Sequence, residues 1–224
     1  CGIAEQTMYT AAAGMAVCGF IPFAQTFGVF AARRAADQIY ISCGYSKANV
    51  KIIGTDPGIT GALNGGTHQA MEDIAIMRPL PNITIYEPCD STQLRWALQD
   101  AADTDGLYYI RLSRKPTVKI YEDSATFARG QSVEVRSGCD LTIAVSGAIM
   151  MEQALLAADL LSSDGIEARI LDLFSIKPLD EAALLRCAKE TGAMLVAENH
   201  FTIGGVGSAV AEVLCNAGIG IPFR

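Results

Sequence analysis

Short apolar runs of strand length alternate along this chain with longer segments of helical spacing, and this alternation restricts it to a parallel α/β architecture. The spacing predicts a helix from Glu5 to Cys18, an extended run from Phe20 to Thr26, and a helix from Val29 to Tyr40. Val50 to Gly54 reads as a strand, and a glycine-rich loop from Asp56 to Thr67 leads into a helix from His68 to Met77. Arg78-Pro79-Leu80-Pro81 ends that helix, because proline cannot continue it. Asn82 to Tyr86 reads as a strand, Asp90-Ser91-Thr92 offers capping chemistry for a helix ending near Ala102, and Leu107 to Leu112 completes the first sheet. Polar, aperiodic residues 115–137 read as a linker. Beyond it come a strand at Leu141 to Val145, a helix at Met150 to Ser162, a strand at Ala168 to Leu173, a helix at Asp180 to Thr191 and a strand at Met194 to Ala197. Gly204-Gly205-Val206-Gly207 opens a last helix. The expected fold is therefore α/β in two domains, each a mostly parallel sheet flanked by helices, with boundaries at 1–118, 119–137 (linker) and 138–224.

At 224 residues the chain can bury a sizeable core. Half of its residues are apolar, yet no uncharged apolar run reaches the ~18 residues of a membrane span. The formal net charge of −7 argues against nucleic acid or an anionic membrane surface as a partner. The seven cysteines are odd in number, scattered, and without a Cys-x-x-Cys pair. They read as small core residues of a cytoplasmic, reducing environment rather than as disulfides or zinc ligands.

One residue fits poorly with a purely structural reading. Glu5 stands at the head of the apolar helix Ala11-Ala12-Ala13-Gly14-Met15-Ala16-Val17, a helix expected to be buried. A buried carboxylate must be neutralised, paired or hydrogen-bonded, although a first-turn glutamate also suits the helix dipole. His68, one of only two histidines, follows three turn-forming residues. Phe27 and Phe30 lie at helical spacing, compatible with ordinary core packing or with stacking on a flat ring.

The motifs "GIAEQ" (Gly2 to Gln6) and "GGTHQ" (Gly65 to Gln69) together resemble the pyrimidine-binding region of thiamine-diphosphate enzymes of the transketolase family. The likeness is to the C-terminal subunit of split transketolases and, more distantly, to 1-deoxyxylulose-5-phosphate synthase. "IKPLD" (Ile176 to Asp180) and "GGVGSAVAEVL" resemble the family's C-terminal domain, so the likeness covers nearly the whole chain. It also implies that both ends are trimmed, with about one strand–helix unit absent before Cys1.

The resemblance implies a cofactor, thiamine diphosphate, and specific roles. Glu5 would bond the aminopyrimidine ring and promote its imino form, with Phe27 and Phe30 against that ring. His68 would bond the reacting oxygens of a ketose, and Arg114 in "RLSRKP" would grip a substrate phosphate. His200 is read as structural. Asp56, Asn64 and Arg33 would join His68 and Arg114 in binding substrate, but these three positions depart from the family. Arg33 stands where many transketolases carry an aromatic residue, Asp56 where a histidine helps bind phosphate, and Asn64 where an aspartate contacts a substrate hydroxyl. A carboxylate at Asp56 would repel phosphate unless neutralised, so an atypical ketose (branched, differently phosphorylated or sulfonated) is expected. The Gly204–Gly207 run lacks the spacing of a dinucleotide fingerprint.

No Gly-Asp-Gly occurs in the chain, whereas the family uses that motif to hold the Mg2+ or Ca2+ that bridges the diphosphate. The resemblance therefore implies a partner, a separate N-terminal diphosphate-binding subunit, in a two-plus-two assembly with homodimer contacts. The expected activity is transfer of a two-carbon ketol unit from a ketose to an aldehyde. The alternatives are a deoxyxylulose-phosphate synthase-like or 2-oxo acid dehydrogenase β-like subunit, or a non-catalytic scaffold.

Overall fold

The alternating segments assemble into two sheets, and a strand from the second half of the chain completes the sheet of the first. The computed structural model describes residues 1–224. The first half supplies β1 (Phe23–Phe27), β2 (Lys51–Thr55), β3 (Ile83–Tyr86) and β4 (Leu107–Leu112). The second half supplies β5 (Val133–Arg136), β6 (Leu141–Val145), β7 (Ala168–Asp172), β8 (Ser175–Lys177) and β9 (Met194–Ala197). The five-stranded sheet has the order β1-β2-β4-β3-β8, and the four-stranded sheet has the order β5-β7-β6-β9. Pairing is parallel except at the edges, where β8 runs antiparallel to β3 and β5 antiparallel to β7. All residues of β2 and β3 are buried, as expected of parallel strands covered on both faces.

The helices are α1 (Glu5–Val17), a three-residue turn α2 (Ala36–Gln38), α3 (Asp73–Met77), α4 (Ser91–Asp103), α5 (Ala148–Ser163), α6 (Glu181–Thr191) and α7 (Val206–Asn216). Asp90 caps α4 by accepting from the Gln93 amide at 2.9 Å, and Asp180 caps α6 by accepting from Ala183 at 3.0 Å.

Several expectations need correction. Helix α1 buries Glu5, Tyr9, Ala12 and Ala13 but leaves Val17 85 % exposed, so it is covered on one side only. The helix after β1 runs on to Tyr45 through wide π-type turns at Phe30–Arg34 and Ile39–Tyr45. The helix expected from His68 starts at Asp73 instead. The Ala70 carbonyl accepts from the Gly58 amide at 2.8 Å, and this holds residues 69–70 extended. Within the stretch read as a linker, Val133–Arg136 is an edge strand, β5. The Ile120 and Tyr121 amides in the same stretch donate to the Asp90 carboxylate. Only Cys43, Cys89 and Cys187 are buried core residues, while Cys1, Cys18, Cys139 and Cys215 are exposed. No helix is long and apolar enough to cross a membrane.

The two halves are joined by a buried ion cluster that leaves no local signature in the sequence. Arg111 of β4 is fully buried and donates to both carboxylate oxygens of Asp73, to Glu87 at 2.7 Å and to the Asn199 carbonyl at 2.7 Å. Ser146 donates to the other oxygen of Glu87 at 2.8 Å. Burial pushes the Glu87 carboxyl up, with Arg111 opposing. Asn199 also accepts from the Ile59 amide at 3.0 Å and donates to the Pro57 carbonyl at 2.9 Å. A Cβ on Gly58 would lie 2.0 Å from Asn199 Oδ1, so only glycine allows this approach, and its φ of 56° suits glycine too.

A second buried carboxylate carries a testable cost. Asp172 Oδ2 accepts from Tyr121 at 2.7 Å, from Gln93 at 2.8 Å and from the Cys89 thiol, while its buried Oδ1 has no partner. Burial pushes its pKa up to about 6, despite these hydrogen bonds. An acid whose pKa is raised on folding costs stability, and the cost grows as pH rises from about 4 to about 6. Asp172→Asn keeps an acceptor for the three donors and cannot ionise. We expect it to raise the melting temperature at pH 8 and to flatten the pH dependence between 4 and 6. The gain is on the order of 1–3 kcal/mol. Thermal denaturation across that range checks this, and a variant less stable than wild type at pH 8 would refute it.

Candidate active site

Three adjacent parallel strands end side by side and present the expected site residues together. Phe27 closes β1, Asp56 follows β2 and Arg114 lies two residues beyond β4. The registers Phe27↔Thr55 and Thr55↔Leu112 place these ends in line. The carboxyl ends of parallel strands are where open α/β sheets bind ligands.

Glu5 is 6 % exposed, at the first turn of α1. It is paired and hydrogen-bonded, as a buried carboxylate must be. Arg34 Nη1 donates to Oε2 at 2.8 Å, and the Thr26 hydroxyl donates to Oε1 at 3.4 Å. Burial pushes the Glu5 carboxyl up, but the hydrogen bond and charge of Arg34, with Thr26 and the local backbone, outweigh burial and hold it below the usual carboxylate value. The Arg34 guanidinium also lies 4.0 Å from the centre of the Phe30 ring. Sequence reasoning passes over Arg34 in favour of its neighbour Arg33, which turns outward to Glu72 at 2.8 Å.

Phe27, Phe30 and His68 form an edge-to-face aromatic cluster, with ring centroids 5.9 Å apart for the two phenyl groups and 5.2 and 5.1 Å from each to the imidazole. His68 ends the short turn Gly66–His68, entered through Gly65 at φ 79° and ψ 177°, a conformation open only to glycine. The Thr67 hydroxyl lies 3.0 Å from His68 Nδ1 and fixes the ring's orientation. Asn64 is exposed and its side chain makes no hydrogen bond. Arg114 lies 4.5 Å from the centre of the Phe27 ring and donates through Nε to the buried Asp56 carboxylate. The contact path Glu5–Arg34–Phe30–His68–Phe27–Arg114–Asp56 is continuous.

Two other features are accounted for away from this cluster. The amides of Val206 and Gly207 donate to the Glu198 carboxylate at 2.7 and 2.9 Å, so the glycine run at the head of α7 already holds an internal anion. His200 accepts from the Ala75 amide through Nε2 at 3.4 Å and donates from Nδ1 to the Phe201 carbonyl at 2.6 Å, joining α3 to the second half.

A buried carboxylate beside aromatic faces fits the aminopyrimidine end of thiamine diphosphate. No group of three or more His, Cys, Asp or Glu side chains is placed to hold a metal ion. Residues 1–118 match the transketolase pyrimidine-binding domain and residues 130–224 the transketolase C-terminal domain. The chain belongs to the transketolase family.

It is 50 % identical over 213 residues to a 6-deoxy-6-sulfo-D-fructose transketolase subunit of Clostridium sp. (strain MSTE9), covering 95 % of this chain and 66 % of that one. It is 36 % identical to an apulose-4-phosphate transketolase polypeptide of Phocaeicola vulgatus, covering 96 % of this chain and 69 % of that one. The chain thus spans about two thirds of the length of these relatives. A solved structure described as a split gene transketolase, inactive beta4 tetramer, superposes with a TM-score of 0.91 at 45 % identity, covering 99 % of this chain and 71 % of that one.

If Arg34 is what keeps Glu5 ionised, Arg34→Gln should raise the Glu5 pKa, because burial is then opposed only by neutral hydrogen bonds. A carboxyl carbon NMR titration of glutamate-labelled protein reads this directly. An unchanged Glu5 titration would show that the ion pair is not the cause.

Proposed function

We propose that this chain is the pyrimidine-binding subunit of a transketolase-type enzyme that transfers a two-carbon ketol unit from a ketose to an aldehyde, together with a separate chain bearing the diphosphate and metal site. The observation that carries this reading is Glu5, buried against Thr26 and Arg34 and linked through Phe30 to His68. When bound, thiamine diphosphate supplies the electron sink on which the C2–C3 bond of the ketose is cleaved. The residues of this chain bind, orient and move protons around it.

Glu5 would hold the aminopyrimidine and supply the carboxyl group for proton exchange with it, through Oε2, while Thr26 engages Oε1. Arg34 holds the same Oε2 in the structure, so its hydrogen bond must yield for Glu5 to take this role. Phe27 and Phe30 would border the ring with the phenyl surface that Arg114 and Arg34 leave uncovered, and so exclude water from it. His68, oriented by Thr67, exchanges a proton through Nε2 with the ketose oxygens. The diphosphate and its Mg2+ or Ca2+ are assigned to the partner, since Gly-Asp-Gly is absent from this sequence. The description of the 45 %-identical relative as an inactive beta4 tetramer supports the need for a partner chain. Symmetry favours a two-plus-two assembly. The named substrates of the relatives, 6-deoxy-6-sulfo-D-fructose and apulose 4-phosphate, support a donor other than the usual sugar phosphates.

Three results are expected. The chain alone should bind thiamine diphosphate weakly by calorimetry with Mg2+, and tightly once the partner is added; stoichiometric binding by the isolated chain would defeat the two-subunit reading. In the assembled enzyme, Glu5→Gln should lower turnover by more than about 100-fold, the scale of a general acid–base step, with the circular dichroism spectrum unchanged. A near-normal rate would remove Glu5 from the mechanism. Finally, xylulose 5-phosphate with ribose 5-phosphate should be a poor pair, and a kcat/KM at or above roughly 10⁴ M⁻¹s⁻¹ would contradict the atypical-donor reading.

A further inference from the structure

Asp56 and Arg114 form the outermost contact of the candidate site, and their geometry restricts what they can bind. Asp56 is 2 % exposed and held by its amide, which donates to the Leu112 carbonyl at 3.0 Å. Its φ of 53° is left-handed, a conformation that aspartate tolerates better than most residues. This aims the carboxylate at Arg114 Nε. The guanidinium is covered on one face by Phe27 and the side chain is 52 % exposed. With Nε engaged, Nη1 and Nη2 make no bond within the chain and form the one free edge of the fork.

Two consequences follow from elementary electrostatics. First, the arginine is pinned, so it can offer only its end-on edge, a bidentate match for two oxygens of a tetrahedral oxyanion. Second, the buried carboxylate cancels the guanidinium's charge as seen by the ligand. Arg33, the other arginine expected at the substrate site, is likewise paired, with Glu72 at 2.8 Å. A ligand tail with one negative charge meets a neutral, donor-rich edge. A tail with two meets the Asp56 carboxylate beside an arginine whose own charge that carboxylate already offsets.

We infer that Asp56 is a specificity-determining positioning residue, which clamps Arg114 and tunes the site to a monoanionic tail, a sulfonate, over the dianionic phosphate of ordinary sugar phosphates. This inference rests on the transketolase-type function proposed above. Asp56 touches Arg114, not the reacting atoms, so it governs recognition of the far end of the donor. His68 and Glu5 act at the other end.

The test uses the assembled two-chain enzyme with cofactor and Mg2+ at pH 8, and a pair of ketohexose donors identical except for a 6-sulfonate or a 6-phosphate. Wild type should favour the sulfonate by at least roughly tenfold in kcat/KM, a difference of about 1.4 kcal/mol. Asp56→Asn retains an acceptor for Arg114 Nε and removes the charge. It should shift the ratio toward phosphate by at least about tenfold, with the larger part in KM. Asp56→Ala, which frees Arg114, should weaken both donors. A wild-type preference for phosphate overturns the inference without any variant being needed. A ratio that does not move in a folded Asp56→Asn enzyme overturns it as well, and leaves the proposed function intact. Turnover of neither donor by wild type, with any aldehyde acceptor, would instead defeat the proposed function and the inference with it.

Discussion

The Arg111 guanidinium is the interaction on which the arrangement of the two halves depends. It is fully buried, it faces the two carboxylates of Asp73 and Glu87, and it reaches the backbone carbonyl of Asn199 in the second half. Burying a guanidinium against two carboxyl groups is costly and is tolerated only when hydrogen bonds take up nearly every donor and acceptor. That condition is met here: Tyr109 donates to Asp73 at 2.6 Å and Ser146 to Glu87 at 2.8 Å. The side chain of that same Asn199 fixes the backbone of residues 57–59, from which the glycine-rich loop leads to His68. The histidine is therefore placed by the packing of the two halves as well as by its own loop.

Three arginines at or beside the site are each matched by a carboxylate within the chain: Arg34 by Glu5, Arg114 by Asp56 and Arg33 by Glu72. These pairs serve different ends. The Arg34–Glu5 pair keeps a buried acid charged, the Asp56–Arg114 pair fixes a guanidinium in one orientation, and Arg33–Glu72 is exposed enough to contribute little to stability. A surface counted only by formal charge would look neutral here, yet it holds directed donors.

Local patterns in the sequence carry the strands well. Leu107–Leu112, Leu141–Val145 and Met194–Ala197 are legible to the residue, because buried parallel strands are short, apolar and bounded by turn residues. What fails is long-range. The three residues of β8 end at a proline and show no period, so their pairing with β3, some ninety positions earlier, leaves no local trace. Helical spacing misplaces the start of α3 because the Gly58–Ala70 hydrogen bond decides where residues 69–72 go. At the site, Glu5, Phe27, Phe30 and His68 are legible through motif likeness, and the structure brings them into one connected set. The partners are not. Adjacent residues on a helix point about 100° apart, so nothing local says that Arg34, and not Arg33, turns toward Glu5. Asp56 and Arg114 look like separate features in the sequence, and only the register of β2 on β4 sets them side by side.

The antiparallel pairing of β8 with β3 has a consequence for synthesis. A chain emerging from the ribosome completes β1 to β4 once Leu112 has been made, but the free edge of β3 stays open until Lys177 follows. At ordinary elongation rates of about 5–20 residues per second, that leaves several seconds during which a nascent sheet exposes an unpaired edge. Arg111 waits longer still, since its last acceptor belongs to Asn199. The N-terminal half is thus built to mature late, and its two carboxylates and one arginine can settle into their final register only as the second half closes over them.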